Sequence, residues 1–123
     1  MRENKFRGFN YIHDKWVYGY LIGKDMIVNV EYRDGERINN HYSVFTETVG
    51  EFSGLYDENK DEIYEGHIIF DDSGDDTYEV RFDEGKFVAI LDGNVCIDLC
   101  EVAGRCSIIG NIPYDIELIK ATE

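Results

Sequence analysis

The chain has 123 residues, 43% of them hydrophobic and 14% aromatic, and a formal net charge of −14. That is one domain's length with enough apolar content for a core, which excludes a disordered chain. The charge also weighs against a phosphate-backbone partner and favours a basic one.

In chain order, Phe6–Phe9 is a short aromatic run broken at Asn10–Asp14. Lys15–Ile22 alternates with period two, Trp16, Tyr18, Tyr20 and Ile22 on one face and Val17 and Leu21 on the other, which predicts a strand. Gly23-Lys24-Asp25 predicts a turn. Met26–Tyr32 predicts a second strand, Arg33-Asp34-Gly35 carries the Asp-Gly hairpin signal, and Ile38–Phe45 predicts a partial strand. From residue 63 on, five runs recur at short intervals: Ile63–Phe70, Thr77–Phe82, Lys86–Leu91, Val95–Cys100 and Ser107–Ile112. The connectors Asp71–Asp76, Asp83-Glu84-Gly85, Asp92-Gly93-Asn94 and Glu101–Arg105 carry turn chemistry. Phe87–Leu91 is apolar throughout and predicts burial on both faces. There is no long amphipathic helix pattern, and a single helical turn is expected near Asp115–Ile119.

The fold class is therefore all-β. Five short strands with tight turns predict a small closed barrel, because closure removes exposed edges. We expect one domain over residues 1–123, with an N-terminal β-hairpin region at 1–46 and the barrel region at 47–123.

The charge is unevenly placed. Residues 1–46 hold six Asp/Glu against seven Lys/Arg, whereas residues 57–84 hold twelve against two. Asp57, Glu58, Asp61, Asp71, Asp72, Asp75 and Asp76 are the candidate acidic interaction patch. Asp57-x-Asn59-x-Asp61 imitates the start of a calcium loop, but Glu62 and Ile68 stand where such a loop needs glycine and a bidentate glutamate. We read it as a polar turn. The loop Asp71–Asp76 is denser, yet its spacing fixes no coordination geometry.

Trp16, Tyr18 and Tyr20 form the candidate aromatic face, near Arg2, Lys5, Arg7 and Lys15. Such a stripe can stack bases. We read it instead as a core or hairpin-packing face. Cys96, Cys100 and Cys106 lack paired zinc spacing, and on one strand Cys96 and Cys100 would lie about 13 Å apart, too far for a disulfide. Small buried hydrophobes are the expected roles. His13, His41 and His67 stand apart in sequence, Ser53 lies in no nucleophile elbow, and no phosphate-binding glycine motif is present. We expect no catalytic residue, no metal and no cofactor. MRENKFRGF lacks an apolar export segment and no run is long enough to span a bilayer, so a reducing cytoplasm is expected.

The stretch Glu47-Thr48-Val49-Gly50-Glu51-Phe52-Ser53-Gly54-Leu55, with Lys5-Phe6-Arg7-Gly8-Phe9, Trp16-Val17-Tyr18-Gly19, Glu62-Ile63-Tyr64-Glu65-Gly66, Val80-x-Phe82-x-x-Gly85-x-Phe87 and Ile109-Gly110-Asn111-Ile112, resembles the YopX family of phage and prophage proteins. His67 departs from the Asp usual after Glu-Gly, and Pro113 is displaced from the usual tail pattern. The resemblance implies a mostly β fold related to SH3-type barrels, a gene on a mobile element and a bacterial host. It implies no established activity and no catalytic residues.

The function expected is that of a non-enzymatic acidic protein–protein interaction module. Its partner would be a host or phage protein with a basic surface; a homo-oligomer is open. The alternatives are a DNA mimic that inhibits a nucleic-acid-binding protein, and a small-barrel binder of single-stranded nucleic acid acting through the aromatic stripe.

Overall fold

A computed structural model describes residues 5–112. The turn expected near Asp115–Ile119 and the displaced Pro113 lie outside the described residues. The architecture is all-β, with two antiparallel sheets and no α-helix among the described residues. Two compact units divide between Glu51 and Phe52, inside a strand.

The first unit is built from β1 (Phe6–Asn10), β2 (Lys15–Ile22), β3 (Met26–Arg33) and β4 (Glu36–Ser43), followed by a 3₁₀ turn at Thr46–Thr48 and the start of β5 (Gly50–Tyr56). Ile38–Phe45, expected as a partial strand, is a full one displaced toward Asp34-Gly35. These two residues, with φ of 51° and 82°, form the tight connection of a hairpin that runs unbroken from Arg33↔Glu36 to Met26↔Ser43.

β2 changes partner at Gly19. Residues Lys15 to Gly19 pair with β1 and Tyr20 to Ile22 pair with β3. A Cβ at Gly19 would lie 2.1 Å from the Val28 carbonyl oxygen, so only glycine fits this crossing. Val17, Ile27 and Val44 form the core here, with Phe6, Leu21, Tyr42 and Val49 packed on it. The core thus lies on the Val17 and Leu21 side of β2. The aromatic stripe is not a core face: Tyr18 and Tyr20 are 41% and 55% exposed, while Trp16 is half-buried.

The second unit holds the rest of β5, β6 (Glu62–Tyr64), β7 (His67–Asp71), β8 (Asp76–Asp83), β9 (Lys86–Leu91), β10 (Val95–Asp98), two 3₁₀ turns at Leu99–Glu101 and Ala103–Arg105, and β11 (Cys106–Asn111). Ile63–Phe70, expected as one strand, is split by the Glu65-Gly66 turn into β6 and β7. Gly66 sits there at φ 95°.

The five-stranded sheet has the order β10-β9-β8-β7-β11. Its core comprises Ile63, Ile69, Tyr78, Val80, Phe87, Ala89, Leu99, Val102, Ala103 and Cys106. Among the described residues no ladder joins β10 to β11, so the expected closed barrel is seen as a sheet with two ends. The outer edge of β11 is already occupied. The Cys106 carbonyl accepts from the Glu58 N–H at 2.9 Å, and the Ile108 N–H donates to Asp57 Oδ2 at 3.1 Å. Residues two apart on a strand direct their backbone groups to the same edge, so the 57–61 loop covers β11 where another strand would pair.

The cysteines depart from expectation. The strand expected to reach Cys100 ends at Asp98, and Cys100 falls in a 3₁₀ turn. Cys96 and Cys100 are exposed; only Cys106 is buried, where desolvation, its largest influence, pushes the thiol up to about 11.

Candidate functional site

The seven residues of the acidic patch separate by role. Asp57 is 3% exposed. Its Oδ1 accepts from the N–H groups of Asn59 (2.8 Å) and Asp61 (2.9 Å), and its Oδ2 takes Ile108 on β11. One carboxylate thus closes its own loop and fastens it to a strand half the chain away. Glu58, an exposed residue, accepts from the Ser107 hydroxyl.

Asp71, at the end of β7, is 2% exposed. Its Oδ1 accepts from the Ser73 N–H (3.0 Å) and hydroxyl (2.7 Å), and its Oδ2 accepts from Arg105 Nε at 2.6 Å. The Arg105 guanidinium, followed by Ser73, holds the Asp71 carboxyl down at about 2. Arg105 also donates to the Glu101 carbonyl at 3.0 Å, so the pair ties the 3₁₀ segment back to β7. Asp57 and Asp71 are therefore struts of the fold. The remaining patch members are at the surface: Asp61, Asp72 and Asp75 exposed, Asp76 half-buried. At the opposite end of β8, Asp83 and Glu84 are exposed at the β8–β9 turn.

Sequence reasoning missed the struts because charge runs are normally solvated. The available signal was the Asx pattern, an aspartate two residues before a turn N–H, at Asp57-x-Asn59 and Asp71-x-Ser73.

In the first unit, a cleft of about 190 Å³ is lined by Lys15, Trp16, Val17, Tyr18, Asn29 and Tyr42. It opens where β2 has left β3: past Gly19 the ladder stops, and Asn29 Nδ2 bridges the gap by donating to the Tyr18 carbonyl at 3.0 Å. Lys15 Nζ lies 5.4 Å from the Tyr42 ring centroid. His13 meets Tyr42 edge-on at 5.9 Å and is held by Asn10 Oδ1, which accepts from its backbone N–H (2.6 Å) and from Nδ1–H (2.9 Å). Arg7 is 2% exposed with its guanidinium 4.0 Å from the Trp16 ring centroid. It is a buried cation–π partner and cannot serve as a surface phosphate contact.

His67 is buried. Its Nδ1 accepts the Tyr64 N–H at 2.9 Å across the Glu65-Gly66 turn, a bond that places the proton on Nε2 when the ring is neutral. Among the described residues no group of three or more His, Cys, Asp and Glu is placed to hold a metal ion, and no helix is long and apolar enough to cross a membrane.

The chain belongs to a family. The model of the family described as YopX protein matches residues 5–120, nearly the whole chain. Among solved structures, it is similar in fold to a crystal structure of protein EF1440 from Enterococcus faecalis, with a TM-score of 0.62 and 17% identity over 97% of this chain and 99% of that one. No curated protein matches it in sequence.

Proposed function

We propose that this YopX-family chain is a non-enzymatic interaction module. Its acidic surface, centred on Asp61, Asp72, Asp75 and Asp76, docks on a basic surface of a host or phage protein in the bacterial cytoplasm. One observation carries this reading. Of the twelve Asp/Glu between residues 57 and 84, only Asp57 and Asp71 are buried; the other ten are exposed or half-exposed, with Lys60 and Arg81 the only cations in that segment. An excess of like charge costs stability through self-repulsion and steers a partner of opposite sign. The mobile-element origin is supported by the family resemblance.

The test is capture from bacterial lysate, with and without nuclease, using the wild type and the triple variant Asp61→Asn, Asp72→Asn, Asp75→Asn. A protein released by salt, resistant to nuclease and lost with the triple variant supports the reading. Equal capture by the variant overturns it. Competition of the captured protein with DNA would move the reading to a DNA mimic.

We also propose that the five-strand set is kin to SH3-type small barrels. What supports this is the strand path, a four-strand meander whose fifth strand returns beside the first after two short 3₁₀ turns.

A further inference from the structure

We propose that the outer edge of β4 pairs antiparallel with the same edge of a second copy of this chain, with Asn39 on the two-fold axis. The ladder fixes which backbone groups face outward. A two-residue turn joins β3 to β4, so Arg33 and Glu36 are its closing, hydrogen-bonded pair. Alternation then turns the groups of Ile38, Asn40 and Tyr42 toward β3 and those of Arg37, Asn39 and His41 toward the outer side. Arg37, Asn39 and His41 are all exposed, and among the described residues no strand pairs with β4 there. Ser43, next in the same series, has its carbonyl taken by Asn10 Nδ2 at 2.7 Å, which ends the open stretch.

The other sheet ends are short or covered. β6 has three residues, β10 has four, and the 57–61 loop lies on β11. β4 has eight residues, pairs with β3 without a bulge, and holds neither lysine nor proline, the usual protections of an edge. It is also poorly supported. β2 accompanies β3 only from Met26 to Val28, so from Asn29 to Asn40 the hairpin is a two-stranded ribbon, and no residue in it is buried. Two strands alone are marginal in water, and two ribbons joined edge to edge make a four-stranded sheet.

Charge and register select a second copy as the occupant. β4 carries one acid, Glu36, and one base, Arg37, in a chain of net charge −14. Two copies can meet here without the repulsion that their acidic segments exert. Any two-fold pairing sets one residue opposite itself. Centred on Asn39, that residue is an uncharged amide and Arg37 of one copy lies opposite His41 of the other. Every outward group from Arg37 to His41 is then used, for about six interchain backbone hydrogen bonds. This inference does not rest on the acidic docking surface, and the two fail separately.

The test is sedimentation of the whole protein from about 10 µM to about 1 mM, with amide hydrogen exchange at both ends of that range. The expected result is a dimer with Kd on the order of 0.1 mM, as a small edge contact gives. Exchange at Arg37, Asn39 and His41 should slow about fourfold at the higher concentration, and less at Ile38 and Asn40, already in the β3 ladder. Asn39→Pro removes an outward N–H and keeps the β3 ladder, so it should abolish the dimer. Asn39→Lys, which alters only an exposed side chain, should weaken it several-fold by setting lysine opposite lysine. An unchanged amide spectrum outside β3 and β4 establishes that a variant is folded. A monomer at about 1 mM overturns the proposal and leaves the edge to a strand of a different protein. So does a dimer that survives both variants, or one whose concentration-dependent protection falls outside β4.

Discussion

The two units fasten their long-range contacts with different chemistry. In the first, neutral groups do it: Thr48 Oγ1 accepts the Phe9 N–H at 2.8 Å and donates to the Phe45 carbonyl at 2.6 Å, while Asn10 Nδ2 donates to the Ser43 carbonyl at 2.7 Å. In the second, carboxylates do it, Asp57 toward β11 and Asp71 toward Arg105. An ionised carboxylate offers only acceptor sites, so each can take several N–H groups at once, and charge makes those bonds stronger. The difference teaches that net charge is a poor measure of this chain's surface. Some of its acids act inside the fold, and only the rest are available to a partner.

The largest effect expected is at the crossing in the first unit. Gly19→Ala places a methyl group 2.1 Å from the Val28 carbonyl oxygen, and backbone on both sides must move. We expect a loss of about 3 kcal/mol or more, read from the denaturant midpoint. Asp57→Ala comes next. It leaves the N–H groups of Asn59, Asp61 and Ile108 without their acceptor, for a loss of about 2–3 kcal/mol. Hydrogen exchange sharpens the comparison: Asp57→Ala should speed exchange at Ile108 and leave Phe9 unchanged, whereas Thr48→Val should do the reverse at about 1–2 kcal/mol. Exchange rising equally at both amides in either variant would break the division between the two fastening schemes.

Acid separates them again. The Asp71 carboxyl is held down at about 2, below the ordinary unfolded value of about 3.9. A group depressed on folding stabilises the fold above its unfolded value, and that contribution is lost as pH falls from about 4 toward about 2. The denaturation midpoint should drop across that window. Asp71→Asn should be less stable at neutral pH and show a shallower acid slope. An identical slope in the variant would mean that other carboxylates carry the acid sensitivity.

Much of the strand pattern was legible because its signals are local. Alternation at Lys15–Ile22 and the turn chemistry at Asp34-Gly35 and Glu84-Gly85 depend on neighbours in sequence, and these elements stand where they were expected. Non-local facts were not legible. Which face of β2 is buried depends on Val17 meeting Ile27 and Val44, so the stripe of Trp16, Tyr18 and Tyr20 faces away from that core. Period two fixes two faces and does not say which is inside. The loop Asp57–Asp61 covers β11, about fifty residues on, and that contact determines whether a five-strand set can present its edge. In sequence its aspartates look like surface charge, because charge runs carry no mark of a distant N–H. The cleft was invisible for the same reason. Its lining joins β2, β3 and β4 at the point where a glycine makes β2 change partners.

The smallest effect is the most diagnostic. Asp61, Asp72 and Asp75 are exposed. Replacing all three by Asn should change stability by no more than about 0.5 kcal/mol per site, and relief of like-charge repulsion sets the sign toward stabilisation at low salt. Added salt should shrink that gain, because screening already removes what the substitutions remove. Stability that stays level or rises while partner capture is lost would mark these carboxylates as retained for recognition. Stability that falls as far as in Asp57→Ala would place them with the struts, and the distinction between acids that hold the fold and acids that face a partner would collapse.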